Sequence, residues 1–228
     1  MNMKKTFNIT IEMLKVKGAC ASGMRDFLKQ FPREQYPVGA EYQELLNRCA
    51  EHERADYAEW LICEFGASNT TLSVDKINTD GNVFFAGRIE ARGEIRCKMI
   101  IAGRGIKAGE GIKAGWGIKA GFGIEAGEGI KAGEGIKAGE GIEANYGIEA
   151  GWGIEAGWGI EASWGIKAGE GIKAGEGIKA NKNIEAGEDF GVYAGLVVCF
   201  LYKSKYVKIT AKEKPANIIC GEWQGEKE

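Results

Sequence analysis

Residues 106–129 read IKAGEG-IKAGWG-IKAGFG-IEAGEG, four copies of one six-residue unit. Isoleucine then recurs at every sixth position as far as Ile184, fourteen units in phase. Within a unit, Ile and Ala stand two apart with Lys or Glu between them. That is strand alternation, with the apolar pair inward and the charge outward. Gly-x-Gly then turns the chain, because glycine permits backbone conformations closed to other residues. A unit this short cannot bury its own apolar face, so stacked neighbours must build the core together. The predicted fold is an all-β solenoid with a small all-α N-terminal domain. Three units per coil would make a triangular prism of 18 residues per rung, and two a flattened coil of 12. The repeat alone leaves both open, and the hand of the coil with them.

Outward from this run the period loosens. Leu72 and Val74 alternate, and Ile77, Val83, Ile89 and Ile95 fall six apart. Residues 68–99 therefore read as imperfect first rungs. The step from Ile95 to Ile100 is five, a local irregularity. Beyond Asp189 the phase is lost, and Val192-Tyr193-Ala194-Gly195 restores it two residues late. The expected division is a helical module over 1–66, the coil over 67–195, and closing strands with a polar tail over 196–228. Four short helices are predicted in the module: Ile11 to Lys17 capped by Thr10, Ala21 to Phe31 ended by Pro32, Tyr42 to Glu51, and Ala55 to Phe65 stopped by Gly66. The open strands at a solenoid's ends invite pairing. The module is expected to cap one end and the apolar stretch Leu196 to Ile209 the other. A homodimer through those C-terminal strands is the alternative use of that surface.

The chain has 228 residues, with 30 Lys plus Arg against 32 Asp plus Glu. A net charge of −2 argues against general affinity for nucleic acid, so no direct nucleic-acid partner is expected. No apolar run approaches a membrane span, and no secretion signal follows Met1. The six cysteines contain no CxxC and read as reduced, buried thiols of a cytoplasmic protein.

The only histidine is His52. Cys49-x-x-His52, with Cys20 and Cys63 in the same module, is the one cluster with metal-ligand chemistry. Its spacings match no standard pattern, and helix-face cysteines are usually packing residues. The expectation is no metal, no cofactor and no catalytic residue. Segments such as Gly109-Glu110-Gly111 are turns of a repeat and do not open a helix, so they make no phosphate loop.

Over roughly residues 77–195 the Ile-(Lys/Glu)-Ala-Gly-x-Gly pattern resembles the hexapeptide-repeat β-helix proteins. The near-identical Gly-Ile-Lys-Ala-Gly units are also similar to Gly-rich repeat proteins of phages and mobile elements, which often carry a short helical N-terminal module. The hexapeptide acyltransferases use a coil-borne histidine as general base. His52 lies outside the repeats, so the resemblance implies the coil without the enzyme. The phage likeness implies an inhibitor of a host defence nucleoprotein complex, of the anti-CRISPR type. A self-assembling scaffold and a carbohydrate-binding solenoid are the alternatives.

Two stripes carry the candidate surface. The slot between the turn glycines is Glu in about half of the units and holds Trp116, Phe122, Tyr146, Trp152, Trp158 and Trp164 elsewhere. A slot that accepts both is expected to face solvent, since an unpartnered buried carboxylate is too costly. The mid-strand slot runs basic, then acidic, then basic. Between Gly141 and Trp164 there is no basic residue at all. Glu143, Tyr146, Glu149, Trp152, Glu155, Trp158, Glu161 and Trp164 make an acidic, aromatic belt, the predicted contact surface for a protein or nucleoprotein complex.

Overall fold

The computed structural model describes residues 8–195 and 208–225. From Thr71 onward, short strands wind into a coil of about eight turns with three flat walls. Among the described residues, face I holds nine strands, from Thr71–Val74 to Glu222–Gln224. Face II holds seven, from Ile77–Asn78 to Ile184–Glu185, and face III eight, from Val83–Phe85 to Ile218–Cys220. Every pairing within the walls is parallel, and in the clean repeat the register step is 18 residues: Ile112 lies beside Ile130, and Ile130 beside Ile148. That step decides for three units per rung. Lower rungs step by 17, as from Ile95 to Ile112, because the turn between Ile95 and Ile100 is one residue short. Near the top, Ile172 pairs with Val192 across a 20-residue step, and there the two late residues are absorbed.

Ile and Ala of the clean units are buried and the residue between them is turned out. Each buried isoleucine stabilises the rod by about 1.5–3 kcal/mol relative to exposure. Cys97 occupies the alanine column opposite Ala114. Burial pushes its thiol up to about 12. The turns also carry ladders. Ile112 N–H donates to the Gly129 carbonyl at 3.0 Å, and Gly133 N–H to the Ala114 carbonyl at 3.1 Å.

The role of the turn glycines differs from the sequence expectation. None of those between Gly87 and Gly191 has a positive φ. The first glycine of the turn is required by proximity instead. A Cβ on Gly133 would lie 2.0 Å from the carbonyl oxygen of Gly115 on the rung below.

The module's helices are α1 Ile11–Val16, α2 Ala21–Gln30, α3 Tyr42–Glu51 and α4 Ala55–Phe65. The Thr10 hydroxyl accepts from Met13 N–H to start α1, and Gly66 at φ 80° ends α4. Phe27, Phe31, Tyr42, Leu45, Leu46 and Leu61 form the inner core. That core continues onto Phe84, Ala86, Met99 and Ile101 of the coil. Phe84 and Ile101 hold the outward mid-strand slots of face III, where higher rungs carry Lys119 and Lys137. The module thus rests on the side of face III rather than across the end of the rod. It seals one open edge only. Gln43 Nε2 donates to the Phe84 carbonyl at 2.8 Å, and Ala86 N–H donates to Gln43 Oε1 at 3.0 Å. The first strands of faces I and II keep Leu72, Val74 and Ile77 half-buried.

Of the expected closing stretch, residues 196–207 lie outside the described residues. Lys208–Thr210 continues face I above Ile178, and Glu222–Gln224 adds the next strand. The cysteine expectation holds in part. Cys49 and Cys97 are buried free thiols, but Cys20 and Cys63 are exposed. Cys20 caps the N-terminus of α2, and Cys63 lies on the outer side of α4. Among the described residues, no helix is long and apolar enough to cross a membrane.

Candidate interaction surface

The triangular section sorts the surface into six columns. Mid-strand residues run up the middle of each face. The residues between turn glycines run up the three edges.

The face columns are ion-pair ladders. Lys107 meets Glu125 at 2.6 Å on face I, Lys131 meets Glu149 at 2.8 Å on face II, and Lys137 meets Glu155 at 3.2 Å on face III. Lys179 holds Glu161 at 2.5 Å and Lys167 holds Glu185 at 3.3 Å. Both partners of each pair are about half exposed, so each contributes little, about 0–1 kcal/mol. Glu143 is stacked between Glu125 and Glu161. Those two turn to lysines on their far sides. Among the described residues Glu143 has no cationic partner.

The predicted belt is therefore a ring. Glu143 and Glu161 lie on face I, Glu149 on face II and Glu155 on face III. Trp152 is on the II–III edge and Trp158 on the III–I edge, while Tyr146 and Trp164 share the I–II edge. The aromatic slots do face solvent: Tyr146 is 58% exposed, Trp152 54%, Trp158 55% and Trp164 55%. No flat partner could touch all eight belt residues at once.

The three edges differ in order. From the bottom, the II–III edge reads Lys98, Trp116, Glu134, Trp152, Glu170. The III–I edge reads Arg104, Phe122, Glu140, Trp158, Glu176. Both alternate, and in both a cation lies over the first ring, Lys98 Nζ at 4.0 Å from Trp116 and the Arg104 guanidinium at 5.4 Å from Phe122. The I–II edge reads Glu110, Glu128, Tyr146, Trp164, Lys182, and Lys212 N–H continues the ladder onto the Lys182 carbonyl. Here Lys182 Nζ lies 3.1 Å from the Trp164 ring centre. The sequence reading passed over a further feature of this edge. Between Gly109 and Asn181 the first turn glycine is replaced three times, by Asn145, Ser163 and Asn181, at 18-residue intervals. With three units per rung, all three fall on the I–II edge. The signal lay in the repeat's own exceptions, read modulo 18.

The helical module carries a second feature, a cavity of about 600 Å³ lined by Leu14, Phe27, Phe31, Leu45 and Trp60. Cys20, Cys49 and His52 reach it, but Cys63 does not. No three metal-ligating side chains gather among the described residues. The Cys49 thiol is pushed up to about 12 by burial and by Asp56, which suits a packing residue. The Cys20 thiol is lowered by its hydrogen bond with Ser22 and by the Gly23 N–H. Beside it, Arg54 grips Asp56 through two hydrogen bonds of 2.9 and 2.7 Å and draws that carboxyl below its usual range.

A family model, the YdhT N-terminal domain, matches residues 1–65, which is the helical module without the coil. No curated protein and no solved structure matches the chain.

Proposed function

We propose that the chain is a non-enzymatic binding protein whose rigid coil offers edge aromatics to a protein or nucleoprotein partner. The observation that carries this reading is the exposure of four large rings, each more than half open to solvent, on glycine-flanked turns. Aromatic side chains held this way supply large contact area at low cost in side-chain entropy. The single histidine, His52, is exposed at the C-terminus of α3 and outside the repeats, which leaves general-base chemistry on the coil without its usual residue.

The specific form of the proposal is an anti-CRISPR-type inhibitor from a phage or mobile element. It rests on the resemblance to Gly-rich repeat proteins. The ladder geometry changes how such an inhibitor would work. Glu149, Glu155 and Glu161 are neutralised by Lys131, Lys137 and Lys179. Ring contacts, rather than an acidic patch filling a basic channel, would then supply the affinity. A glycan partner is disfavoured, because the belt's three tryptophans point from three different edges.

Plasmid-interference assays in bacteria carrying defined CRISPR systems test the specific form. Expression of the chain should restore transformation, and the Trp152→Ala, Trp158→Ala pair should abolish the effect while the rod stays folded. Undiminished interference in every system tested would refute it. Retention of a purified effector complex by the intact chain, but not by the double variant, tests the broader reading.

A further inference from the structure

The I–II edge differs from the other two in two respects that a lone rod does not explain, the order of its charges and its turn residues. Its like charges sit on adjacent rungs, Glu110 under Glu128 and Lys182 under Lys212, whereas the other edges alternate charge with aromatic. Rungs are about 4.8 Å apart, so each stack is repulsive and needs an opposite charge from elsewhere. Among the described residues none of these four enters an ion pair, and neither do Glu134, Glu140, Glu170 and Glu176 of the other edges, but there each carboxylate has aromatic rather than like-charged neighbours on its edge. Beside them, glycine gives way to Asn145, Ser163 and Asn181.

Read upward, the edge is acid, acid, aromatic, aromatic, base, base. That order is its own complement when reversed. We propose that a second copy of this chain docks here, antiparallel and edge to edge, about a two-fold axis between the Tyr146 and Trp164 rungs. Tyr146 then faces Trp164 of the second copy, Glu128 faces its Lys182, and Glu110 faces its Lys212. Each like-charge stack is answered by the opposite stack. Lys182 shifts from the ring of Trp164 toward a carboxylate. The flanking face II column has the same symmetry of sign, which sets Lys131 toward Glu185 of the second copy and Glu149 toward its Lys167, while these four keep their pairs of 2.8 and 3.3 Å within each copy. On face I the axis brings Glu143 toward a second Glu161, which Lys179 already neutralises at 2.5 Å. Asn145 and Ser163 lie across from one another with donors and acceptors for either partner. An isologous contact of this kind closes at two copies and does not propagate into fibres. The contact is a narrow one, at the small end of stable interfaces, so the dissociation constant is on the order of micromolar.

This contact covers Tyr146 and Trp164, two of the four rings on which the proposed partner binding rests, and leaves Trp152 and Trp158 to a partner on the other edges. Sedimentation velocity of the full chain, from micromolar to sub-millimolar, should show a monomer–dimer equilibrium that weakens with salt. Glu128→Lys and Lys182→Glu should each weaken self-association at least tenfold. Mixed together, the two single variants should pair as a heterodimer, since each supplies the charge that the other lacks. The double variant should dimerise like the parent. Tyr146→Ala with Trp164→Ala should leave a folded monomer, whereas Trp152→Ala with Trp158→Ala should not alter the equilibrium. A chain that stays monomeric throughout overturns the proposal. So does a dimer that ignores the charge reversals or is not restored by mixing them.

Discussion

Gly133→Ala tests whether the coil needs glycine for space and not for an unusual backbone. The added Cβ would stand 2.0 Å from the Gly115 oxygen and 3.0 Å from its carbon. Adjacent rungs must then part by roughly 1 Å at this corner, a strain of about 1–3 kcal/mol. Parting stretches Gly133 N–H to the Ala114 carbonyl and Glu134 N–H to the Trp116 carbonyl, both at 3.1 Å. Each of those bonds is worth about 1 kcal/mol. Against this, alanine restricts the unfolded chain and returns about 0.4–1 kcal/mol. The expected net loss is about 2–5 kcal/mol. Gly135→Ala, in the same turn, is the control. Its Cβ would meet the Gly153 oxygen at 3.3 Å, a contact that a small shift relieves. Urea unfolding followed by circular dichroism should place the Gly133→Ala midpoint well below that of Gly135→Ala. Equal midpoints would refute the steric argument. The column Gly115, Gly133, Gly151, Gly169 carries no side chain, so a lone alanine displaces one rung against its neighbours. Asn145, Ser163 and Asn181 occupy consecutive rungs, where the displacement is shared. Gly133→Ala with Gly151→Ala should therefore cost less than twice the single change.

Gln43→Ala removes the one side chain among the described residues that pairs with the open edge of face III, at Phe84 and Ala86. Loss of about 1–3 kcal/mol is expected, together with faster hydrogen exchange at the Ala86 amide. Ile148→Ala leaves a cavity in a fully packed column and should cost about 2–5 kcal/mol in the same urea assay. Native Cys49 and Cys97 stay protonated up to about 12, while the unfolded thiols ionise near 9. The unfolded chain then binds fewer protons, so stability should fall as pH rises through the window from about 9 to about 12. Cys97→Ala fits its column and should flatten that slope, as midpoints measured across the window would show.

The coil was legible because its period is short and its residues differ sharply in physics. Ile, Ala and Gly each tolerate one environment, so a string of them admits few structures. The five-residue step at Ile95 and the late return at Val192 were also readable, and both fell where the register shifts. The helices were found from apolar spacing and from the stops at Pro32 and Gly66. The number of units per rung was not readable, since Ile columns fill a two-sided or a three-sided coil alike. The seat of the module was misjudged for a related reason. Phe84 and Ile101 break the charge pattern of the mid-strand slot, and this outward apolar pair marks the side wall as the main docking face, with only the open edge of face III covered at the end by Gln43. Cys20 and Cys63 were misread because a short helical module has too little interior to hide every thiol.

The belt illustrates a more general limit. Glu143 to Glu161 form one block along the chain but three separate columns in space. A contiguous stretch of a solenoid wraps the rod, and a contiguous patch is made of residues 18 apart. Charge read along the sequence overstated the acidic field, because each Glu of the block except Glu143 meets a Lys one rung away. The same rule turned exceptions into a pattern. Asn145, Ser163 and Asn181 look scattered in sequence, yet they stack on one edge beside Glu128, Tyr146, Trp164 and Lys182. Glycine at these turns is held by the close carbonyl of the next rung, so replacing it three times on one edge carries a cost in packing. A rod selected only for stability would keep glycine there, as the other two edges do. The edge that gave it up is the one that stacks like charges on adjacent rungs, and both facts have a single physical explanation if that edge meets its own reverse.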